Sequence, residues 1–488
     1  MSAPQLTAVT PEMPDLEAML LAQKKAYMAD PMPDRATRIR RLDKLHNALV
    51  DNKARIIAAV SKDFSNRSAA ETELAEIMPL LDGISYYRKR LKRLMKPQRR
   101  HVSLTLMPAR VEVQYQPVGV VGIVVPWNFP IFLALSPLIG ALAAGNRAML
   151  KSSEFAPATG DLLKQIIAEN YAEDEVTVVT GGVEVATEFT KLPFDHLVFT
   201  GSTQVGRIVM RAAAENLTPV TLELGGKSPV IIHKDFPIEE AAGRIAFGKG
   251  INAGQVCVSP DYILCPRDKV NAFCNAFSES MGKAYPSLQN NGDYTAIITD
   301  RQKARLEGYL KDAEEKGAEL ITINPQAESF GDSRKMPMTL VIGATDEMLV
   351  LREEIFGPIL PVVPYDTIDE AIAYVNDRPR PLAFYYFDWN KSRADDVLAR
   401  THSGGACVND TMSHVLADDI PFGGIGPSGM GHYHGAEGFR NFSKAKGVVR
   451  KGRINATAFI APPWDNFMFN SLKKLQAMRF RRRKIQEY

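Results

Sequence analysis

Apolar residues recur at helical steps through 16–60, set among many charges. The same period returns over 71–95, where Pro79 predicts a bend and Pro97 an end. A basic, polar segment follows, and then Val111, Val113 and Tyr115 alternate with polar residues, the pattern of a half-exposed strand. Residues 97–117 therefore read as a hairpin projecting between two larger units. The run 118–125 differs: it is continuous and β-branched, as strands buried on both faces of a parallel sheet are. Shorter apolar runs recur at 148–150, 176–179, 196–199 and 220–224, separated by helical patterns at 158–169, 183–190 and 204–215. That alternation predicts βαβ units and an α/β fold on a parallel sheet of the nucleotide-binding type. A second α/β region follows over 226–430, with helices near 267–282 and 299–316 and a strand near 339–342. Residues 443–451 predict a late strand.

Composition narrows the class. The 488 residues are 45% hydrophobic and 24% charged, ordinary for a soluble globular protein and long enough for two or three domains. Four cysteines exclude a disulfide-stapled scaffold and point to reduced thiols in a cytoplasmic protein. The first 25 residues carry Asp15 and Glu17 and lack the apolar stretch of a secretory signal. The longest apolar stretch, 131–145, contains Pro137 and falls short of the roughly 20 residues that span a bilayer. No integral membrane anchor is expected.

The net charge of +3 hides an asymmetry. Residues 471–488 hold seven basic side chains and one acid, a net of +6 that leaves −3 for the rest. A slightly acidic body argues against nucleic-acid binding. Within the tail, Phe469, Leu472, Leu475 and Met478 recur at three-residue steps beside Lys473, Lys474, Arg479 and Arg481–Lys484. Weak peripheral contact with an anionic membrane is one reading of that pattern. A solvated terminal helix is the other, and such charge runs are more often that.

Four segments carry candidate chemistry. In Pro126-Trp-Asn-Phe-Pro130, two prolines fix a turn directly after a buried strand, where open α/β sheets bind ligands. There Asn128 is suited to donate to an oxyanion, or is a plain turn residue. In 199–206, Gly201 and Ser202 sit where a helix begins and free N–H groups can hold phosphate. An ordinary strand-to-helix turn would look the same. In Leu222-Glu-Leu-Gly-Gly-Lys-Ser228, Glu223 stands in an apolar strand. Burial would raise its pKa and suit it to act as a base, unless a nearby cation pairs with it. In Gly254-Gln-Val-Cys257, small residues upstream let the backbone approach a ligand, and Cys257 is a candidate nucleophile. Most single cysteines are inert and buried, the reading that suits Cys265, Cys274 and Cys407. No C-x-x-C or H-E-x-x-H occurs and the eight histidines are dispersed, so no metal site is expected.

Together these segments resemble the aldehyde dehydrogenase superfamily over nearly the whole chain. P-W-N-F-P, F-T-G-S-T, L-E-L-G-G-K-S-P, G-Q-x-C, E-E-I-F-G-P (353–358) and P-F-G-G (421–424) occur in the family's order and spacing. Jointly they outweigh the bland reading of each. The resemblance implies an NAD(P)-binding domain over 1–96 and 118–224 and a catalytic domain over 225–430. It implies a small β oligomerisation arm from 97–117 and 443–451, with a basic tail over 452–488. It implies Cys257 as nucleophile, Glu223 as the base that activates water, and Asn128 with the Cys257 N–H as oxyanion hole. For the cofactor it implies Trp127, Lys151, Glu154, Gly201, Ser202, Glu354 and Phe356. Lys151 and Glu154 would meet the adenosine ribose, Ser202 the pyrophosphate, and Glu354 and Phe356 the nicotinamide end. Glu154 favours NAD over NADP, because a 2′-phosphate would meet a carboxylate, although related members with this residue use both.

Residues 255–264 and 428–435 are similar to the class 3 branch, which includes dimeric enzymes for aromatic and fatty aldehydes. Within it the chain is most similar to bacterial coniferyl aldehyde dehydrogenases. The resemblance therefore implies a homodimer that oxidises a small-molecule aldehyde, coniferaldehyde, to the acid through a cysteine thiohemiacetal and thioester. A medium- or long-chain fatty aldehyde is the alternative substrate. A CoA-acylating enzyme is a further alternative, one that would have no need of Glu223.

Overall fold

The computed structural model describes residues 14–103, 106–453, 455 and 461–480. In chain order its strands are β1 (Gln98–Arg99), β2 (Ala109–Pro117), β3 (Val120–Val124), β4 (Arg147–Lys151), β5 (Val176–Val179), β6 (His196–Thr200), β7 (Val220–Glu223) and β8 (Pro229–Ile232). They continue as β9 (Tyr262–Pro266), β10 (Glu319–Ile323), β11 (Met338–Ile342), β12 (Ile359–Tyr365), β13 (Ala383–Phe387), β14 (Gly405–Val408), β15 (Gly429–Met430) and β16 (Ser443–Lys451). Helices alternate with them, which gives the α/β architecture that the pattern predicts.

Three sheets result. The first has the order β15-β7-β6-β3-β4-β5, with β3 to β7 parallel and β15 antiparallel against β7. From β3 the chain winds outward through β4 and β5, then returns to the other side of β3 for β6 and β7. The winding reverses between β3 and β6, and the carboxyl ends of those strands flank the crevice where such sheets bind ligands. Val121, Ile123, Leu150 and Val198 are fully buried, as strands covered on both faces require. The apolar stretch near 131–145 forms the helix Phe132–Ala144, buried nearly all round beneath this sheet.

The second sheet, β10-β11-β12-β9-β8-β13-β14, is parallel except for β10. Of its strands only β11 stands out in the hydrophobic pattern. The third sheet joins β1, β2 and β16, and β16 pairs with β2 from Ser443↔Pro117 to Lys451↔Ala109. The hairpin expected over 97–117 is thus present but short, since β1 contributes only Gln98 and Arg99.

Two expectations need correction. The irregularity expected at Pro79 precedes it: a π-helical turn spans Glu73–Ile77, and Pro79 lies in the first turn of Met78–Leu94, where a missing N–H costs nothing. The helical region 16–60 is interrupted into Leu16–Ala29 and Arg35–Asp51, capped by the Asp15 and Asp34 side chains, and Lys53–Phe64, which starts after Asn52. Of the basic tail, the helix Phe467–Arg479 is seen; Arg481–Lys484 lie outside the described residues.

Candidate active site

The turns that leave β3 and β6 open onto a cavity of about 260 Å³. Trp127 and Asn128 line it from the first turn, and Gly201 and Ser202 from the second. Glu223, the last residue of β7, Cys257, and Glu354 with Phe356 from the segment before β12 line it too, beside Gln302 and Arg305, which no motif marked. Eight of the ten candidate residues therefore meet at one crevice. Lys151 and Glu154 do not line it; they follow from the carboxyl end of β4, the next strand of the same sheet. Lys151 is buried and its Nζ donates to Ser152 O (2.6 Å) and Gly181 O (2.8 Å), while Glu154 is exposed. Ser202 caps the helix Thr203–Ala214, its Oγ accepting from Val205 N at 3.4 Å.

Cys257 is held on an unusual bend. Asn252, Ala253 and Gly254 take φ of 51°, 50° and 74°, a left-handed run that non-glycine residues seldom adopt and that collects at functional sites. At Gly254 a side chain is excluded, because a Cβ would lie 2.4 Å from Gly357 O. The Gln255 side chain pins the bend: Nε2 donates to Asn252 O (2.9 Å) and Ala296 O (3.0 Å), and Oε1 accepts from Ile298 N (3.0 Å). Cys257 also borders a second cavity, of about 220 Å³, lined mainly by apolar side chains including Phe129, Phe132, Phe247, Met412 and Phe422.

Glu223 has no counter-ion among the described residues, whereas Glu354 lies near Lys227 and Arg305. Glu223 is 3% exposed and neither carboxylate oxygen has a partner. Burial lifts its pKa well above the ordinary carboxylate range. The cation that would make it a structural ion pair is absent among the described residues. Burial, with Glu354 and Glu223 nearby, pushes the Cys257 thiol up to about 12, so the resting sulfur is protonated. Glu354 is pushed up to about 7, chiefly by burial and then by Asp261, and its Oε1 is unpartnered. Tyr433, 1% exposed, is close enough to feel the charges of both Glu223 and Cys257.

Asn128 is 3% exposed; its Nδ2 donates to Gln255 O at 3.2 Å, which leaves one amide hydrogen uncommitted. Trp127 meets Phe356 edge to face at 5.3 Å. Several supporting residues escaped the sequence reading. Lys227 pairs with Asp261 and donates to Val350 O and Glu353 O (both 2.9 Å), while Asp261 accepts from Ile355 N at 2.9 Å. Arg305 donates to Ile355 O at 2.7 Å. They hold the segment that presents Glu354 and Phe356. Lys227 lies within a motif and its charge was a visible signal; Asp261 and Arg305 gave none, because they act through main-chain groups far away in sequence.

Comparison with known proteins agrees with this geometry. Residues 12–448 match the aldehyde dehydrogenase family. The chain is 56% identical to a Pseudomonas aeruginosa protein named "probable coniferyl aldehyde dehydrogenase", over 95% of this chain and 97% of the relative. It is 48% identical to the coniferyl aldehyde dehydrogenase of a Pseudomonas species, over 89% and 90% of the two chains. Among solved structures it is similar to the substrate-bound state of Staphylococcus aureus AldH, with a TM-score of 0.89 and 35% identity over 96% of this chain and all of that one. It is also similar to a Mycobacterium tuberculosis aldehyde dehydrogenase complexed with NAD+, with a TM-score of 0.81 and 29% identity over 90% and 91%.

Proposed function

This chain belongs to the aldehyde dehydrogenase family and oxidises an aldehyde to the carboxylic acid with NAD(P), and we propose that its substrate is an aromatic aldehyde of the coniferaldehyde type. The observation that carries this reading is the position of Cys257, bordering both the crevice of the first sheet and the aromatic-lined cavity. The names of the coniferyl aldehyde dehydrogenases that the chain resembles support the same substrate.

The crevice fits a dinucleotide. It offers an orphaned buried carboxylate oxygen on Glu354, the open start of the helix Thr203–Ala214 at Ser202, and two aromatic faces, Trp127 and Phe356. Ser202 would hold the pyrophosphate. Glu354 and Phe356 would hold the nicotinamide ribose and ring, and Lys151 and Glu154 the adenosine ribose. When bound, the nicotinamide accepts the hydride that the reaction releases.

The residues of the chain do the rest. The Cys257 thiol gives up its proton to solvent and the sulfur adds to the aldehyde carbon. The C=O bond becomes an alkoxide, which accepts from Asn128 Nδ2 and the Cys257 N–H. This thiohemiacetal loses hydride and becomes a thioester on Cys257. Glu223, its proton released to solvent, then takes one from water, and the hydroxide so formed cleaves the thioester to the acid and the free thiol. Two half-reactions explain why the site keeps both a thiol and an unpaired carboxylate.

Three further points support the setting of the enzyme. Among the described residues β16 forms an unpaired edge of the three-stranded sheet, which supports assembly of a homodimer through that arm. All four cysteines are free, which supports a reducing, cytoplasmic compartment. Among the described residues no helix is long and apolar enough to cross a membrane; the exposed Phe467 and Met478 on the basic terminal helix, with Phe480 just beyond it, support weak peripheral contact instead.

A panel of coniferaldehyde, benzaldehyde, hexanal and decanal, each with NAD and with NADP, tests the substrate. Coniferaldehyde with NAD should give the highest kcat/KM, and a preference for decanal would discard the assignment. In the same assay Cys257→Ala should abolish turnover with every substrate.

A further inference from the structure

A buried ion pair lies beneath the Pro126–Pro130 turn, and the chemistry above does not use it. The side chains of Arg67 and Glu76 are both fully buried, with Nη1 and Oε1 3.0 Å apart. Such pairs often stabilise a fold no better than apolar side chains of the same size, because desolvation offsets their attraction. Their geometry points to another purpose. Glu76 lies on the π-helical turn Glu73–Ile77, a rare conformation that concentrates at functional sites. Its Oε2 accepts from Ile131 N (2.7 Å) and Phe132 N (3.0 Å), at the start of the helix that follows the turn.

Arg67 faces the turn itself. Its Nη1 donates to Asn128 O at 2.8 Å, and its guanidinium lies over the Phe129 ring at 4.4 Å. Nε and Nη2 find no hydrogen-bond partner, so Asn128 O receives the one hydrogen bond the guanidinium makes among the described residues. Asn252, on the left-handed bend before Cys257, donates to the same oxygen at 3.1 Å and to Gln255 O at 3.1 Å. Gln255 O in turn accepts from Asn128 Nδ2. The main chain of Asn128 is therefore gripped from two distant segments.

We propose that Arg67, anchored by Glu76, is a positioning residue that fixes the main chain of Asn128 so that its amide meets the oxygen of the carbon bound to Cys257. The inference rests on Asn128 acting as oxyanion donor. Arg67 touches neither substrate nor cofactor and acts only through Asn128.

A double-mutant cycle separates positioning from folding. Single-turnover NADH formation is measured for the wild type, Arg67→Lys, Asn128→Ala and the double variant, together with melting temperature and NAD affinity. Asn128→Ala should lose about 10²–10³ in rate. Arg67→Lys should lose up to about 10² in the wild-type background, as small misplacements can, and nothing further in the Asn128→Ala background. NAD affinity should not change. An equal loss in both backgrounds, or none in the wild type, overturns the proposal. A near-normal rate for Asn128→Ala overturns the oxyanion reading itself. Should Arg67→Lys fail to fold, Glu76→Gln replaces it in the cycle, because it keeps an acceptor for Ile131 and Phe132 while removing the charge. Failure of both to fold would make the pair a folding determinant and overturn the proposal equally.

Discussion

A carboxyl group with no partner for either oxygen, at the buried end of a strand, opposes folding. Glu223 is in that position. The unfolded chain ionises it above about pH 4.3, whereas the folded chain holds its proton to a much higher pH, because burial raises the pKa. Between those two pKa values the folded state binds more protons than the unfolded one, so stability falls as pH rises. Glu223→Gln removes that penalty, and the variant should melt above the wild type, by a wider margin at pH 8 than at pH 5. Its catalysis should fail at one step. It should give a burst of NADH and then stall, since the thioester waits for a base. In the wild type, hydrolysis should speed up as pH rises through the Glu223 pKa, and the variant should lack that limb. A missing burst would move Glu223 to the first half-reaction, where it takes the thiol proton; a variant less stable than the wild type at pH 8 would contradict the stability argument. The same residue shows what a sequence reveals: Glu223 is conspicuous because a lone acid interrupts an apolar strand.

Elements differ in how plainly they announce themselves. The strands β3 to β7 are legible because each is an unbroken apolar run between helical patterns, and their order carries the crevice with it. β12 is not: Ile359–Tyr365 contains Pro361 and Pro364, although it lies between β11 and β9 in the middle of its sheet, where prolines argue against a strand. β16 is legible as a strand, but its pairing with β2 is a contact between distant parts of the chain that no local pattern encodes. For the site, the motifs reveal most of the residues that line the crevice, while Arg67, Asn252 and Arg305 stay hidden because they bind main-chain oxygens of other segments, although Arg305 lines the crevice as well. The glycines of these loops lead to contrasting predictions. A Cβ at Gly225 would lie 2.1 Å from Glu354 Oε2, a side-chain end that can swing away. Gly225→Ala should fold, displace Glu354 and weaken NAD binding, as titration calorimetry would measure. At Gly254 the obstacle is the main-chain oxygen of Gly357, and φ is 74°. The left-handed backbone alone costs about 1–2 kcal/mol for a residue with a Cβ. Gly254→Ala should lower the melting temperature and abolish the NADH burst together. A Gly225→Ala enzyme with normal NAD affinity would show that Glu354 takes no part in holding the cofactor.

At the scale of the molecule, charge is segregated from catalysis. The +6 of residues 471–488 stands apart from a body of −3. On the terminal helix Phe467–Arg479 and just beyond it, Phe467 and Phe480 are about four-fifths exposed and Met478 is exposed too. Water is a poor environment for three such side chains beside Lys473 and Lys474, while the interface of an anionic bilayer accommodates both kinds of group. Each Lys or Arg near such a surface contributes about 1 kcal/mol, and the attraction fades with the Debye length, from about 10 Å at 0.1 M salt to about 3 Å at 1 M. The full chain should therefore co-sediment with phosphatidylserine-containing vesicles at low salt, stay free near 1 M salt, and ignore phosphatidylcholine vesicles. A chain truncated after Asn470 should lose the vesicles and keep its kcat/KM for coniferaldehyde, since the crevice and the aromatic-lined cavity are built from residues before 425. Equal vesicle binding by the truncated chain would place the contact on the body. If truncation instead halves the mass seen by light scattering, the exposed helix covers a second copy of the chain, and its apolar side chains serve assembly rather than a lipid surface.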